Sequence, residues 1–229
     1  MLFRSRQIDG VIRGVPEATA SRVLLLADGL RIVRIDLEQP GVTVRPTEAL
    51  DPTRPCADVV LESAGVDVLA DDAAVGLAHW RLKALLANAA EQAGVCRASL
   101  TLATEYAKLR VQFDKPIGAQ QAIQHLLADV LAATVGSEAV VRQAARALDE
   151  GHPAAAELVT VAAAHSAQAV QQATAALIQV HGGTGFTWEH DAHLLYRRAN
   201  SSATFFGGAA ARRRELATIL HLGIEGATP

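Results

Sequence analysis

The sequence predicts an α+β fold, mainly α, with a β region over residues 1–70 and an antiparallel four-helix bundle over residues 71–229. Three observations carry this. Up to about Leu69 the apolar runs are short, rich in β-branched residues and punctuated by Gly, Pro and Asp. From about Asp71 the apolar period becomes helical, over stretches rich in alanine and leucine. Those stretches are long and joined by short Pro- and Gly-marked breaks, the pattern of an antiparallel bundle.

In the β region, Val23–Leu26 and Leu30–Ile35 flank Asp28-Gly29, which predicts a hairpin with a type I′ turn, since both central positions need positive φ. Gly41–Arg45 and Asp58–Leu61 are further strand candidates, parted by a loop around Asp51-Pro52-Thr53. So few strands leave edges open to pairing with another chain. The helical part divides into residues 72–111, stopped by Asp114-Lys115-Pro116, then 119–148, ended by Gly151-His152-Pro153, then 154–180, ended by a glycine cluster. Shorter helices follow near 189–201 and 210–220. Abundant alanine permits close helix approach and leaves one broad apolar stripe on each helix.

Composition narrows the function classes. Half of the 229 residues are apolar, a fifth are charged and the net charge is −3, as in ordinary globular proteins. No basic stripe suggests nucleic acid, and Arg212-Arg213-Arg214 predicts a solvated face or a partner contact. Cys56 and Cys96 are too few for a disulfide framework or a thiolate metal site, which fits a reducing compartment. MLFRSRQIDG lacks the features of a signal peptide, and no apolar run is long enough for a membrane span, so a cytoplasmic location is expected.

Two segments carry chemistry. The first is EYAKLRVQFDKPIG, Glu105–Gly118. The second, IQVHGGTGFTWEHDAHLLYRRA, begins at Ile178 and contains Gly182-Gly183-Thr184-Gly185. These glycines allow positive φ and leave N–H groups open to a ligand, although a helix C-cap followed by a turn gives the same letters. His190 and His193 share a face if they open a helix, but spacing fixes no third ligand and no metal is expected. His181 reads as a packed or capping side chain.

Together the two segments resemble the C-terminal helical domain of the acyl-CoA dehydrogenases, flavoenzymes with an EYA-x-x-R-x-x-FG-x-PIG segment and a Q-x-x-GG-x-G(F/Y) segment in this order. Order, spacing and flanks agree from about Gly94 to Arg198. The resemblance implies FAD, held across a subunit boundary by Arg110, Gln112, Phe113, Gln179, Gly182 and Gly183. A guanidinium suits a pyrophosphate and glycine amides approach phosphate closely. Without a flavin, Arg110 reads as a helix-end cation facing the C-terminal dipole. Asp114 replaces the family's glycine and puts a negative charge beside the pyrophosphate.

The resemblance also bears on catalysis. The family's usual base, a glutamate, falls on Gly207, and the alternative position falls on Ala84. Glu189 and Glu215 are the nearest carboxylates in sequence and read as capping or exposed groups. The family's N-terminal helical domain has no counterpart. The β domain is therefore a partial one, beginning near Ile8-Asp9-Gly10-Val11-Ile12 without the flavin-ring contacts of its first half.

These departures look most like the base-less sister subunits of heteromeric actinobacterial enzymes, which act on bulky steroid or other acyl side-chain thioesters. The expectation is a subunit for FAD-dependent α,β-desaturation of an acyl-CoA, as a homodimer or with a full-length partner. A flavin-free scaffold and a shortened active enzyme are the alternatives.

Overall fold

The structure, a computed structural model, describes residues 7–222. Most of the stretch read as lacking signal-peptide features, residues 1–6, therefore lies outside it, as does the end of the expected bundle domain. The chain divides into two compact units, Met1–Arg81 and Leu82–Pro229.

The first unit holds β1 (Gln7–Pro16), β2 (Val23–Asp28), β3 (Arg31–Asp36), β4 (Val42–Thr47), β5 (Cys56–Gly65) and β6 (Asp67–Ala70). They form two three-stranded antiparallel sheets, ordered β1-β5-β4 and β2-β3-β6. Alternation places Ala57, Val59 and Leu61 of β5 inward, packed with Val33 and Ile35 of β3 in one core. The segment Ile8–Ile12 lies within β1, and β6 carried no periodic signal of its own.

The β2–β3 turn differs from the expectation. Asp28 pairs with Arg31, so the loop residues are Gly29 and Leu30. Only Gly29 has positive φ, 63°, the pattern of a type II′ rather than a type I′ turn. The Arg31 guanidinium bonds the Asp28 carboxylate and keeps Asp28 in the strand. β1 is irregular against β5 at two places, and a carboxylate serves each. Asp9 accepts from the Ser63 N–H at 2.6 Å, and Asp58 accepts from the Gly14 N–H at 2.9 Å.

The second unit is the bundle. It contains most of α1 (Ala74–Leu109), a hairpin of β7 (Val111–Gln112) and β8 (Lys115–Pro116), then α2 (Gln121–Asp149), α3 (Ala155–His181), α4 (Ala192–Thr204) and α5 (Gly208–Ile219). α3 is central, with 17 of its 27 residues buried. Antiparallel order follows from which residues share a core. Leu85 meets Ala144 and Val159 at one end, while Ala103 and Ala107 meet Leu177 and Ile178 at the other. The fourth position is shared by α4 and α5, which break at Phe205-Phe206-Gly207, where Phe206 and Gly207 have φ of 56° and 88°. The expected helices at 189–201 and 210–220 are thus displaced to 192–204 and 208–219.

Small polar residues lie inside without orphaned hydroxyls at these positions. Thr134, Thr160 and Thr174 donate to carbonyls one turn back, and the Ser137 and Ser166 hydroxyls bond each other at 2.6 Å. On the outside, Arg97 of α1 grips Glu138 of α2 bidentately at 2.7 and 2.9 Å, holding that carboxyl below its usual range. Burial pushes the Cys96 thiol up to about 12, which leaves it an inert core group. Arg212 is 9% exposed, so it is not part of a solvated face as expected, while Arg213 and Arg214 are exposed.

Candidate functional site

The two marked segments meet at one end of the bundle. α1 stops at Leu109, and the chain turns back through β7 and β8 with Phe113 and Asp114 at φ of 53° and 63°. Two consecutive left-handed residues make this tip a type I′ turn without glycine, each position costing ~1 kcal/mol. The Ile117 N–H donates to the Arg110 carbonyl at 2.8 Å and closes the hairpin. Gly118 lies so close to α1 that a Cβ would stand 3.0 Å from the Ala107 carbonyl oxygen.

α3 arrives at the same end. The rings of Tyr106 and His181 stack with centroids 4.1 Å apart, and Ala103, Ala107, Leu177, Ile178, Val180 and Ala192 form the core behind them. α3 stops because Gly182 takes φ +60°, and a short 3-10 turn, Gly182–Phe186, follows. Gly185 packs tightly, since a Cβ there would meet the His181 Cβ at 3.1 Å and the Ile178 carbonyl oxygen at 3.2 Å. Around Gly182 and Gly183 there is open space.

Arg110, Gln112, Phe113, Gln179, Gly182 and Gly183 are all exposed around this end. Phe113 is 87% exposed at the hairpin tip. Arg110 sits one residue beyond α1, its N–H bonded to the Tyr106 carbonyl at 2.8 Å. Gln112 spends its amide on the neighbouring Val111 carbonyl at 3.1 Å. One correction concerns the glycines: the Gly182 N–H is taken by the Gln179 and Ile178 carbonyls and is not open to a ligand. A helix that ends in a left-handed glycine uses that N–H to cap itself.

His190 and His193 do not share a helix face, because α4 begins only at Ala192. His190 lies against His181, with centroids 4.3 Å apart, and His193 lies edge-on to Trp188 at 4.5 Å. Arg197 stands over the Trp188 ring at 5.4 Å. Burial pushes the His181 imidazole below its usual pKa, against a raising hydrogen bond from Nδ1–H to the Leu177 carbonyl at 2.9 Å. Among the described residues no three His, Cys, Asp or Glu side chains gather as metal ligands. No helix among them is long and apolar enough to cross a membrane.

At the two positions that the resemblance gives to a base, Ala84 is a half-buried residue of α1 and Gly207 caps α5 in the left-handed region. A Cβ on Gly207 would stand 3.0 Å from the Ala211 Cβ and 3.8 Å from Nη2 of Arg212. That guanidinium donates to the Phe206 carbonyl at 2.7 Å and to the Glu215 carboxylate. Glu189 is exposed in the α3–α4 connection. The ring stack had no sequence signal, because Tyr106 and His181 are brought together only by the packing of α1 on α3, whereas Arg212 and Glu215 stand three residues apart on α5.

The helical bundle with this hairpin-and-glycine end is the C-terminal domain of one family. The family model "Acyl-CoA dehydrogenase, C-terminal domain" matches residues 76–220, and the chain belongs to the acyl-CoA dehydrogenase family. Acyl-CoA dehydrogenase FadE34 of Mycobacterium tuberculosis is 37% identical over 96% of this chain and 30% of its own length. Acyl-CoA dehydrogenase IpdE2 of the same organism is 39% identical over 70% of this chain and 46% of its own length. The chain thus spans less than half of either relative. Among solved structures, the ChsE4-ChsE5 complex from Mycobacterium tuberculosis is 26% identical with a TM-score of 0.86, covering 100% of this chain and 62% of that one. The glutaryl-coenzyme A dehydrogenase glutaryl-CoA complex shares the fold, with a TM-score of 0.86 at 24% identity, over 96% and 60% of the two chains.

Proposed function

We propose that this chain is a flavoprotein subunit of the acyl-CoA dehydrogenase type, lacking a base of its own and contributing to α,β-desaturation of an acyl-CoA beside a complete partner. The observation that carries the reading is a bundle end that gathers the residues expected to hold flavin, together with a glycine at the position that the resemblance gives to the base. Gly207 has no proton acceptor, and the nearest charged group is the Arg212 guanidinium, of the wrong sign for a base.

The residues at the bundle end fit half of an FAD site. Arg110 offers a guanidinium to a pyrophosphate, Gln179 offers an amide, and the open space at Gly182 and Gly183 lets a phosphate approach, with the Gly182 N–H already spent on the helix end. Their exposure leaves room for a second chain to supply the other half, as the resemblance implies. Bound there, FAD would supply the acceptor for the hydride leaving the acyl chain. This chain's residues would hold the cofactor's polar end and exclude water from it. The assembly would be a homodimer or a pair with a full-length subunit, and the similar ChsE4-ChsE5 structure is itself a complex. A bulky acyl or steroid side-chain thioester is the substrate class, and the cytoplasm the location. The competing reading is a flavin-free scaffold, favoured by the Asp114 carboxylate at the hairpin tip.

Co-expression with a full-length homologue, co-purification and a visible spectrum separate the two. The subunit reading expects a yellow complex whose flavin content exceeds that of the homologue alone. A complex with no additional flavin overturns it in favour of the scaffold.

A further inference from the structure

We infer that the open edge of β2 is a self-pairing surface, on which a second copy of this chain lays its own β2 antiparallel, about a two-fold axis at Leu25. The inference stands apart from the flavin reading, since it concerns only the β unit and needs no cofactor.

Each sheet of the β unit ends in two strands with one side unpaired among the described residues. Three of these edges carry devices that discourage pairing with another chain. β1 is broken by register shifts at two places, β4 holds Arg45 and Pro46, and β6 is four residues long with a shift beside it. β2 has none of these. It pairs with β3 without interruption from Val23 to Asp28, and Val23–Ala27 contains no charge, proline or glycine. Val23 and Leu25 are 36% and 43% exposed on its outer face.

The ladder decides which backbone groups face the open side. The Leu37 N–H donates to the Arg22 carbonyl at 2.8 Å, and bonding alternates along an antiparallel pair. Arg22, Leu24, Leu26 and Asp28 therefore turn their backbone groups to β3, while Val23, Leu25 and Ala27 turn theirs outward. One symmetric register uses all three outward residues. It sets Leu25 opposite Leu25 of the second copy and Val23 opposite Ala27, with about six backbone hydrogen bonds. Moving the axis to Val23 or Ala27 leaves Leu25 opposite a residue outside the strand.

Charge agrees with that register. Arg22 falls opposite Asp28 of the second copy, twice by symmetry, as a non-hydrogen-bonded pair whose side chains lie close together. Both groups are accessible. The Arg22 side chain is 73% exposed and holds Glu38 at 3.2 Å, and the Asp28 carboxylate is 41% exposed and bonds Arg31. Parallel pairing in register would instead set Arg22 beside Arg22 and Asp28 beside Asp28. On the face that packs into the core of the unit Leu24 meets Leu26, and on the outer face Val23 meets Ala27, so apolar groups are matched on both sides. These matches select β2 of a second copy as the occupant.

Cysteine cross-linking of the full chain tests the register. Cys96 is buried, and a Cys56→Ser background removes the half-buried thiol. Across the axis the two Leu25 Cα atoms stand about 5.5 Å apart, within the reach of a disulfide. The two Val23 Cα atoms, equally on the outer face, stand on the order of 13 Å apart. With oxidised glutathione at micromolar protein, Leu25→Cys should form a covalent dimer about 100-fold faster than Val23→Cys. Leu25→Lys puts two ammonium groups opposite each other. By light scattering it should show about half the parent's mass, because one two-fold contact doubles an assembly. Equal rates for the two cysteine variants, no covalent dimer in either, or a Leu25→Lys mass equal to the parent's overturns the inference, whichever other strand the edge then accepts. Should Leu25→Lys fail to fold, the cysteine pair decides.

Discussion

Restoring a carboxylate at position 207 should not restore a base. Gly207 has φ 88° and ψ 6°, which an L-residue adopts at a cost of ~1–2 kcal/mol. A Cβ there also presses the Ala211 Cβ at 3.0 Å, and the neighbour must give by a few tenths of an ångström. Gly207→Ala carries both penalties and nothing else, so it should lower Tm by roughly 2–8 °C at this chain size. Gly207→Glu adds a carboxylate at the N-terminus of α5, beside a guanidinium that Glu215 already holds. That recovers no more than ~1 kcal/mol. The order of stability by calorimetry should therefore be parent, then Glu, then Ala, with the last two converging in about 1 M salt. The same guanidinium holds the new carboxyl ionised and low in basicity, so acyl-CoA should still fail to bleach the flavin of the complex through this subunit's site. An Ala variant as stable as the parent would refute the strain, and acyl-CoA-dependent bleaching gained by the Glu variant would refute the role given to Arg212.

Three further outcomes are expected. Arg110→Ala should weaken flavin retention in the complex by about 2 kcal/mol, some ~30-fold in Kd by equilibrium dialysis, and unchanged occupancy would reject its contact. The isolated chain loaded with FAD should show no bleaching by any acyl-CoA in stopped-flow absorbance, because general base catalysis worth ~10²–10⁴-fold has no group to perform it. Light scattering at micromolar concentration should show no monodisperse monomer, given Phe113, Phe186 and Trp188 exposed at 87, 69 and 72% on the bundle unit.

The bundle was legible because its helices are long and their breaks are chemically marked. Gly151 and Gly182, with φ of 64° and 60°, stand where α2 and α3 were expected to end. Detail was lost wherever a local signal had two solutions. Asp28-Gly29 reads as a type I′ pair, but the Arg31 ion pair moves the turn one residue along. The glycine cluster reads as a nest of free N–H groups, yet helix capping consumes that of Gly182. For the site, periodicity could place Arg110 and Gln179 on helix ends but could not bring those ends together. The meeting of Tyr106 with His181 is a product of packing between α1 and α3. Arg212 read as one of three surface arginines, because burial of a guanidinium depends on a carbonyl and a carboxylate that fold around it.

The central place of α3 sets an order of assembly. α2 and α3 are neighbours in sequence, joined by the short loop around Gly151, so their hairpin closes over little chain and can form early. α4 and α5 have no comparable surface until α3 is in place, and both lie against it. Cutting the chain at the exposed Glu150–Ala154 loop and rejoining it elsewhere would separate the two helices that start the process. Such a permuted bundle should reach the same final packing far more slowly, whereas new ends placed in the exposed loop around Glu189 would leave that first hairpin intact.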